Sequence, residues 1–246
     1  MTWVHRFLAL SLGAASLLGC SSEPLDDDPT GDGGGGSQPP PVYMGSCQAA
    51  LRQTIGLVEA SSAAEVVIVE EAAGERLLYI DASAGGFGME DETPWVYVSL
   101  ESGARVDLTD VEALESAAWD LAFERFLVRT NSADSGPGRG GALRVALPFE
   151  SVDASTLGNR ELPADVWFDE ECNLTLDDSG APVTTFSGWS EYDQATHVLS
   201  PAAVTFLVSG GTGKLFKVAI VDYYGTKTGA SGNTAGRYLL RVAPLE

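Results

Sequence analysis

The chain predicts an all-β fold: one antiparallel β-rich domain with one or two short helices. Three observations carry this reading. Apolar residues recur with a period near two beyond residue 65. Successive runs of this kind are separated by short glycine-bearing segments, as hairpins require. Only two stretches, 48–57 and 111–117, read as helical, and both are short.

The elements follow in order. Runs 66–69 and 76–80 flank Ala73-Gly74, a hairpin signal, and runs 95–100 and 104–108 flank Ser102-Gly103, a second one. Segment 119–130 reads as a strand with Trp119, Leu121 and Phe123 on one face and Asp120, Ala122 and Glu124 on the other. The aromatic face is assigned to the core. Asp120 and Arg125 fall on opposite faces, so a bridge between them requires a bend or bulge. Thr130-Asn131 suits a strand end, because the Asn side chain supports turns. Run 143–147 alternates until Pro148 stops it. Runs 204–208 and 215–221 flank Ser209-Gly210-Gly211-Thr212-Gly213, and 237–242 gives the last strand. The turns carry the glycines that positive φ angles need.

The first 41 residues carry no such pattern. His5 and Arg6 precede an apolar run ending in Leu17-Leu18-Gly19-Cys20. A run of about a dozen residues suits a signal-peptide core and is too short to span a bilayer. Leu-x-Gly-Cys resembles the bacterial lipobox, which makes residues 1–19 a lipoprotein signal peptide and Cys20 the acylated first residue of the mature chain. Two acyl chains meet the requirement for stable anchoring. Ser22, two residues after Cys20, resembles a signal that permits outer-membrane sorting. Residues 20–41 then form a tether. Its Asp26-Asp27-Asp28, Gly33 to Gly36 and Pro39-Pro40-Pro41 offer almost nothing to bury. Residues 42–246 form the single β-rich domain. The chain is expected to be exported and lipid-anchored at the cell envelope, in the outer membrane.

Charge and cysteine usage bound the function. The formal net charge is −21, and loss of Arg6 with the signal makes it −22. No basic stripe is present to replace the counterions of a nucleic acid, and the globular surface does not suit anionic lipid. Contact with the membrane is therefore expected only through the anchor. The runs Glu90-Asp91-Glu92 and Asp169-Glu170-Glu171 read as solvated loops rather than calcium sites. Cys47 and Cys172 are the two remaining cysteines of an exported chain, which predicts one disulfide, Cys47–Cys172. Two thiols and one remaining histidine fall short of a zinc set, so no metal-ion site is expected.

No catalytic constellation is expected either, and the chain does not read as an enzyme. His197 is the only histidine after signal removal, and no serine lies in Gly-x-Ser-x-Gly. Gly210-Gly211-Thr212-Gly213-Lys214 is not a phosphate loop. Val208 stands where its first glycine belongs and Leu215 replaces the Ser or Thr.

The central segment Trp119-Asp120-Leu121-Ala122-Phe123-Glu124-Arg125-Phe126-Leu127-Val128-Arg129-Thr130-Asn131-Ser132 resembles a stretch of the HmuY family, haem-binding lipoproteins of Gram-negative bacteria. The glycine-rich 135–142 resembles the loop that follows it, and 216–224 with Arg237-Tyr238 resembles the family's C-terminal hairpin. The resemblance covers about residues 65–243. It implies a surface lipoprotein for iron acquisition that captures haem, or another planar apolar ligand, in a cleft between β-layers. It also implies paired His or Met ligands to the iron. The mature chain offers His197, Met44 and Met89, and the candidate axial pair is His197 with Met89, which follows the flexible Gly85-Gly86-Phe87-Gly88. The alternative is a surface interaction protein that keeps the fold without haem ligation and meets a protein partner at the cell surface.

Overall fold

The computed structural model describes residues 47, 50–51, 56–85, 92–178 and 180–245. Cys20, Met44, Met89 and the domain limits at 19/20 and 41/42 lie outside these residues. The strands are β1 (Val66–Ala72), β2 (Glu75–Asp81), β3 (Val96–Ser99), β4 (Ala104–Arg105), β5 (Leu121–Glu124), β6 (Leu127–Thr130), β7 (Gly141–Val145), β8 (Ser190–Asp193), β9 (Val198–Pro201), β10 (Thr205–Ser209), β11 (Leu215–Asp222) and β12 (Arg237–Pro244). A six-stranded sheet has the order β1-β2-β12-β11-β10-β7, a four-stranded sheet the order β4-β3-β5-β6, and β8-β9 stands as a separate hairpin. All pairings between these strands are antiparallel. Two four-residue helices, Asp110–Ala113 and Ala154–Leu157, are each closed by a capping box. The second was not expected. Of the expected helix 48–57, Ala50 and Leu51 are helical, and residues 48–49 and 52–55 lie outside the described set.

The expected hairpins form. Ala73 and Gly74 both adopt positive φ (51° and 80°), the geometry a two-residue turn between twisted strands demands. Gly210–Lys214 closes the β10–β11 hairpin. One reading changes. Segment 119–130 is a hairpin, not one strand: Glu124 pairs with Leu127 across a turn at Arg125, where φ is 49°. Asp120 and Arg125 do not pair. The Arg125 guanidinium donates to the Ser83 carbonyl, and Asp120 accepts backbone N–H groups.

The four-stranded sheet is buried on both faces, and that explains its composition. Val96, Val98, Leu121, Phe123 and Val128 join a core shared with Leu78, Phe206, Val218 and Leu240 of the larger sheet. Trp95, Tyr97 and Ala122 point the other way, into a second core with Trp119, Trp167 and Phe168. Trp119 therefore packs apart from Leu121 and Phe123 rather than beside them.

Asp120 and Asn131 clamp this frame. Asp120 Oδ2 accepts from Leu100 N at 2.7 Å and Oδ1 from Gly211 N at 2.9 Å, tying the β3–β4 and β10–β11 turns together. Asn131 Nδ2 donates to the Ser116 and Trp119 carbonyls, both at 2.9 Å, and its Oδ1 accepts from Gly138 N at 2.9 Å. The glycine-rich loop is glycine-rich because it lies directly on this residue. A Cβ on Gly140 would stand 2.4 Å from the Asn131 carbonyl oxygen.

Cys47 and Cys172 are joined in a disulfide with Cα atoms 5.3 Å apart, and both pack against the second core. It closes a sequence separation of 125 residues. Chain-entropy reasoning sets about 4–5 kcal/mol as the upper limit of its contribution. Replacing both cysteines with serine should lower the urea midpoint within that limit while leaving far-UV circular dichroism unchanged. Asn131→Ala strands two carbonyls and one amide. It should cost about 3 kcal/mol or more in equilibrium urea unfolding, since each unsatisfied buried group costs about 1–3 kcal/mol.

Candidate functional site

A cleft of about 410 Å³ opens where the β5–β6 turn meets segment 181–189 and the β8–β9 hairpin. Phe126, Leu127 and Val128 form one wall; Pro182, Thr184 and Trp189 form the next; Ser190, Tyr192 and Leu199 form the third. The walls are held by specific bonds. Thr184 Oγ1 donates to the Val128 carbonyl at 2.8 Å and Trp189 Nε1 to the Phe126 carbonyl at 2.9 Å. These two side chains stitch segment 184–189 along β6. Leu199 N donates to the Tyr224 hydroxyl at 3.1 Å, and Ala202 N donates to the Trp189 carbonyl at 2.8 Å, which seats the hairpin.

Beneath the cleft the Trp189 ring lies 5.4 Å from Tyr223 and 5.5 Å from Tyr238. Burial pushes the Tyr223 phenol up to about 12 and the Tyr238 phenol well above its ordinary value, so both stay neutral. The Tyr238 hydroxyl donates to the Arg125 carbonyl at 2.7 Å and docks the β5–β6 turn on the large sheet. The lining is mostly apolar, with hydroxyl-bearing Thr184, Ser187, Ser190 and Tyr192 and one carboxylate, Asp177. The Arg144 guanidinium stands at the rim, donating to the Gly188 carbonyl at 3.1 Å. An apolar concavity with a few polar groups is the usual form of a small-molecule site.

His197 lies in the β8–β9 turn with φ 58°, exposed, its backbone N–H donating to the Asp193 carbonyl at 2.8 Å. It does not line the cleft. Its Nδ1 stands 2.6 Å from the hydroxyl of Tyr192, which does. Met89, the expected second ligand, lies outside the described residues, so the His197–Met89 pair has no geometry to report. Among the described residues no group of three His, Cys, Asp or Glu side chains is placed to hold a metal ion.

Sequence reasoning missed Tyr192 and the β8–β9 hairpin. The signal was modest: a tyrosine five residues before the only mature histidine, in a run without strong alternation. The central motif divides in two. Asp120, Arg129, Thr130 and Asn131 are buried in the frame, while Phe126, Leu127 and Val128 of the same motif line the cleft.

The family model described as HmuY protein matches residues 91–238. The chain belongs to the HmuY family. HmuY proteins are binding proteins, so this chain is a member of a binding family. Among solved structures it is similar to a HmuY-like candidate haem binder from Bacteroides vulgatus, with 18% identity and a TM-score of 0.47 over 74% of this chain and 100% of that one. It is likewise similar to the apo form of a HmuY analogue from Tannerella forsythia, with 16% identity and a TM-score of 0.45 over 74% of this chain and 97% of that one. A candidate lipoprotein from Bacteroides fragilis shares 17% identity with a TM-score of 0.44 over 74% of this chain and 95% of that one. No curated protein matches the chain. No described helix is long and apolar enough to cross a membrane.

In this HmuY-family frame a buried carboxylate positions the cleft wall. Asp165 accepts from the backbone N–H groups of Thr130 and Thr185, both at 2.6 Å, and from the Thr130 hydroxyl at 2.9 Å. Burial raises the pKa of Asp165, and of Asp110 and Asp120, despite their hydrogen bonds. A raised native pKa means the folded state binds protons more tightly. The stability these groups contribute is fully present below the unfolded carboxylate value of about 4 and is lost as pH rises through their native values. Exposed Asp153, Asp169 and Asp193 have lowered pKa values, through hydrogen bonds to Ser155, Asn173 and Ala195 respectively. Their contribution is present above about 4 and lost as pH falls through their native values. The melting temperature should therefore rise as pH falls through the native values of the three buried carboxylates, then drop below about pH 4. A calorimetric series across that range checks it.

Proposed function

We propose that this HmuY-family chain is an exported, membrane-tethered binding protein that captures haem, or a similar flat apolar ligand, in the cleft beside Trp189. The observation that carries the reading is the cleft itself: aromatic and aliphatic walls on three sides, each pinned to the frame by named hydrogen bonds. Such a surface takes the face of a macrocycle at little ordering cost. Arg144 at the rim is the cation nearest the cleft's Gly188 and suits a carboxylate carried on the ligand's edge.

The first 41 residues complete the assignment. Residues 1–19 direct export, Cys20 carries the acyl chains, and 20–41 hold the domain, 42–246, away from the lipid. Residence in the outer membrane and a role in iron acquisition belong to the same proposal. The cleft provides binding and orientation; no catalytic role is assigned to any residue.

An absorbance titration of the purified chain with haemin tests this. A saturable one-to-one Soret shift is expected. Phe126 is 42% exposed, so Phe126→Asp should leave folding intact while weakening haemin binding at least tenfold, about 1.4 kcal/mol. Broad, unsaturable absorbance, unchanged by Phe126→Asp, overturns the haem reading. It would leave the family membership standing and favour a surface protein with a protein partner.

A further inference from the structure

We propose that Tyr192, not His197, is the side chain that takes the iron of ferric haem, with His197 as its positioning residue. The proposal rests on the haem reading above. Haem iron accepts His nitrogen, Met sulfur, Cys thiolate or Tyr oxygen. Of the described residues lining the cleft, Tyr192 alone carries such a donor. His197 stands one step back, on the turn, and reaches the cleft only through the Tyr192 hydroxyl.

The hairpin register explains the placement. Ser190 and Tyr192 are two apart on β8 and share a face, and Leu199 sits opposite Tyr192 on β9. All three line the cleft. Tyr192 is 55% exposed, so core packing does not account for it. Among the described residues its hydroxyl makes one hydrogen bond, to His197 Nδ1, at 2.6 Å.

His197 is held for this contact. The Asp193 carboxylate accepts the Ala195 N–H at 2.8 Å and the Thr196 N–H at 3.3 Å, shaping the turn that sets the His197 backbone at positive φ. A tyrosine aimed at the cleft, backed by an imidazole fixed from behind, is the arrangement of a ligand with its orienting partner.

The chemistry balances without a redox step. The iron–oxygen bond would replace the phenol O–H bond, with the proton released to the surrounding water. No electron is transferred. His197 Nδ1, 2.6 Å from that oxygen, would hold its direction.

The experiment uses the full purified chain with two probes, ferric haemin and metal-free protoporphyrin. Metal-free protoporphyrin reports the cleft alone, and haemin reports the cleft plus the iron ligand. Wild type should show phenolate modes in the resonance Raman spectrum of the haemin complex. Tyr192→Phe should lose those modes and bind haemin at least tenfold more weakly, with a markedly smaller loss of affinity for metal-free protoporphyrin. His197→Ala should keep the phenolate modes with weakened haemin affinity. Retention of the wild-type ferric spectrum by Tyr192→Phe, or loss of iron ligation in His197→Ala alone, overturns the proposal while the haem reading stands. Failure of wild type to bind either probe overturns both.

Discussion

A guanidinium with no solvent exposure sits at the centre of the second core, and the rest of the frame is organised to tolerate it. Arg129 is 0% exposed. Its Cζ lies 4.4 Å from the Trp95 ring, 5.1 Å from Trp119, 5.4 Å from Tyr97 and 5.8 Å from Trp167. Its terminal nitrogens donate to the Ser135 carbonyl at 2.8 Å and the Tyr97 hydroxyl at 2.6 Å. That hydroxyl donates on to Asp110 at 2.9 Å. A buried charge costs several kcal/mol unless it is paired and hydrogen-bonded. Here four ring faces and a carboxylate one hydroxyl away supply the compensation. The segments bearing Trp95, Tyr97, Trp119, Ser135 and Trp167 are therefore held to one another around the charge.

That rigidity reaches the cleft through the pleat of β6. Successive residues of a strand point to opposite faces. Arg129 points into the aromatic cage, while its neighbour Val128 packs in the first core and lines the cleft. Thr130, one step further, is bonded to Asp165, which also holds Thr185, the residue after Thr184 of the opposite wall. Two walls of the cleft are therefore set by backbone positions that the buried charge and the buried carboxylate fix. The third wall, the β8–β9 hairpin, belongs to neither large sheet and is seated by the Tyr224 hydroxyl and one backbone bond. This separate hairpin carries the Tyr192–His197 pair.

This arrangement explains what the family motif reports. Asp120, Arg129, Thr130 and Asn131 answer to burial and hydrogen-bond satisfaction, which leave few substitutes. The exposed hairpin is under no such constraint, and its side chains can change without disturbing the frame. Membership of the HmuY family accordingly describes the scaffold and the binding class. The atoms that would meet a ligand lie mostly beyond the motif, apart from Phe126, Leu127 and Val128.

The sequence by itself determined the sheet-forming runs, the glycine turns, the all-β class and the Cys47–Cys172 pairing. All of these rest on local periodicity, on turn chemistry, or on having only two cysteines to join. It did not determine that residues 119–130 fold back on themselves. A sheet buried on both faces erases the alternation that marks a strand's two sides, and nothing in Arg125-Phe126 announces a turn. Nor did it reveal the partner of His197. The Tyr192–His197 contact depends on the register of a short, exposed hairpin with little hydrophobic pattern to specify it. The cleft joins residues 126 and 199, and only tertiary packing brings such distant positions to one surface.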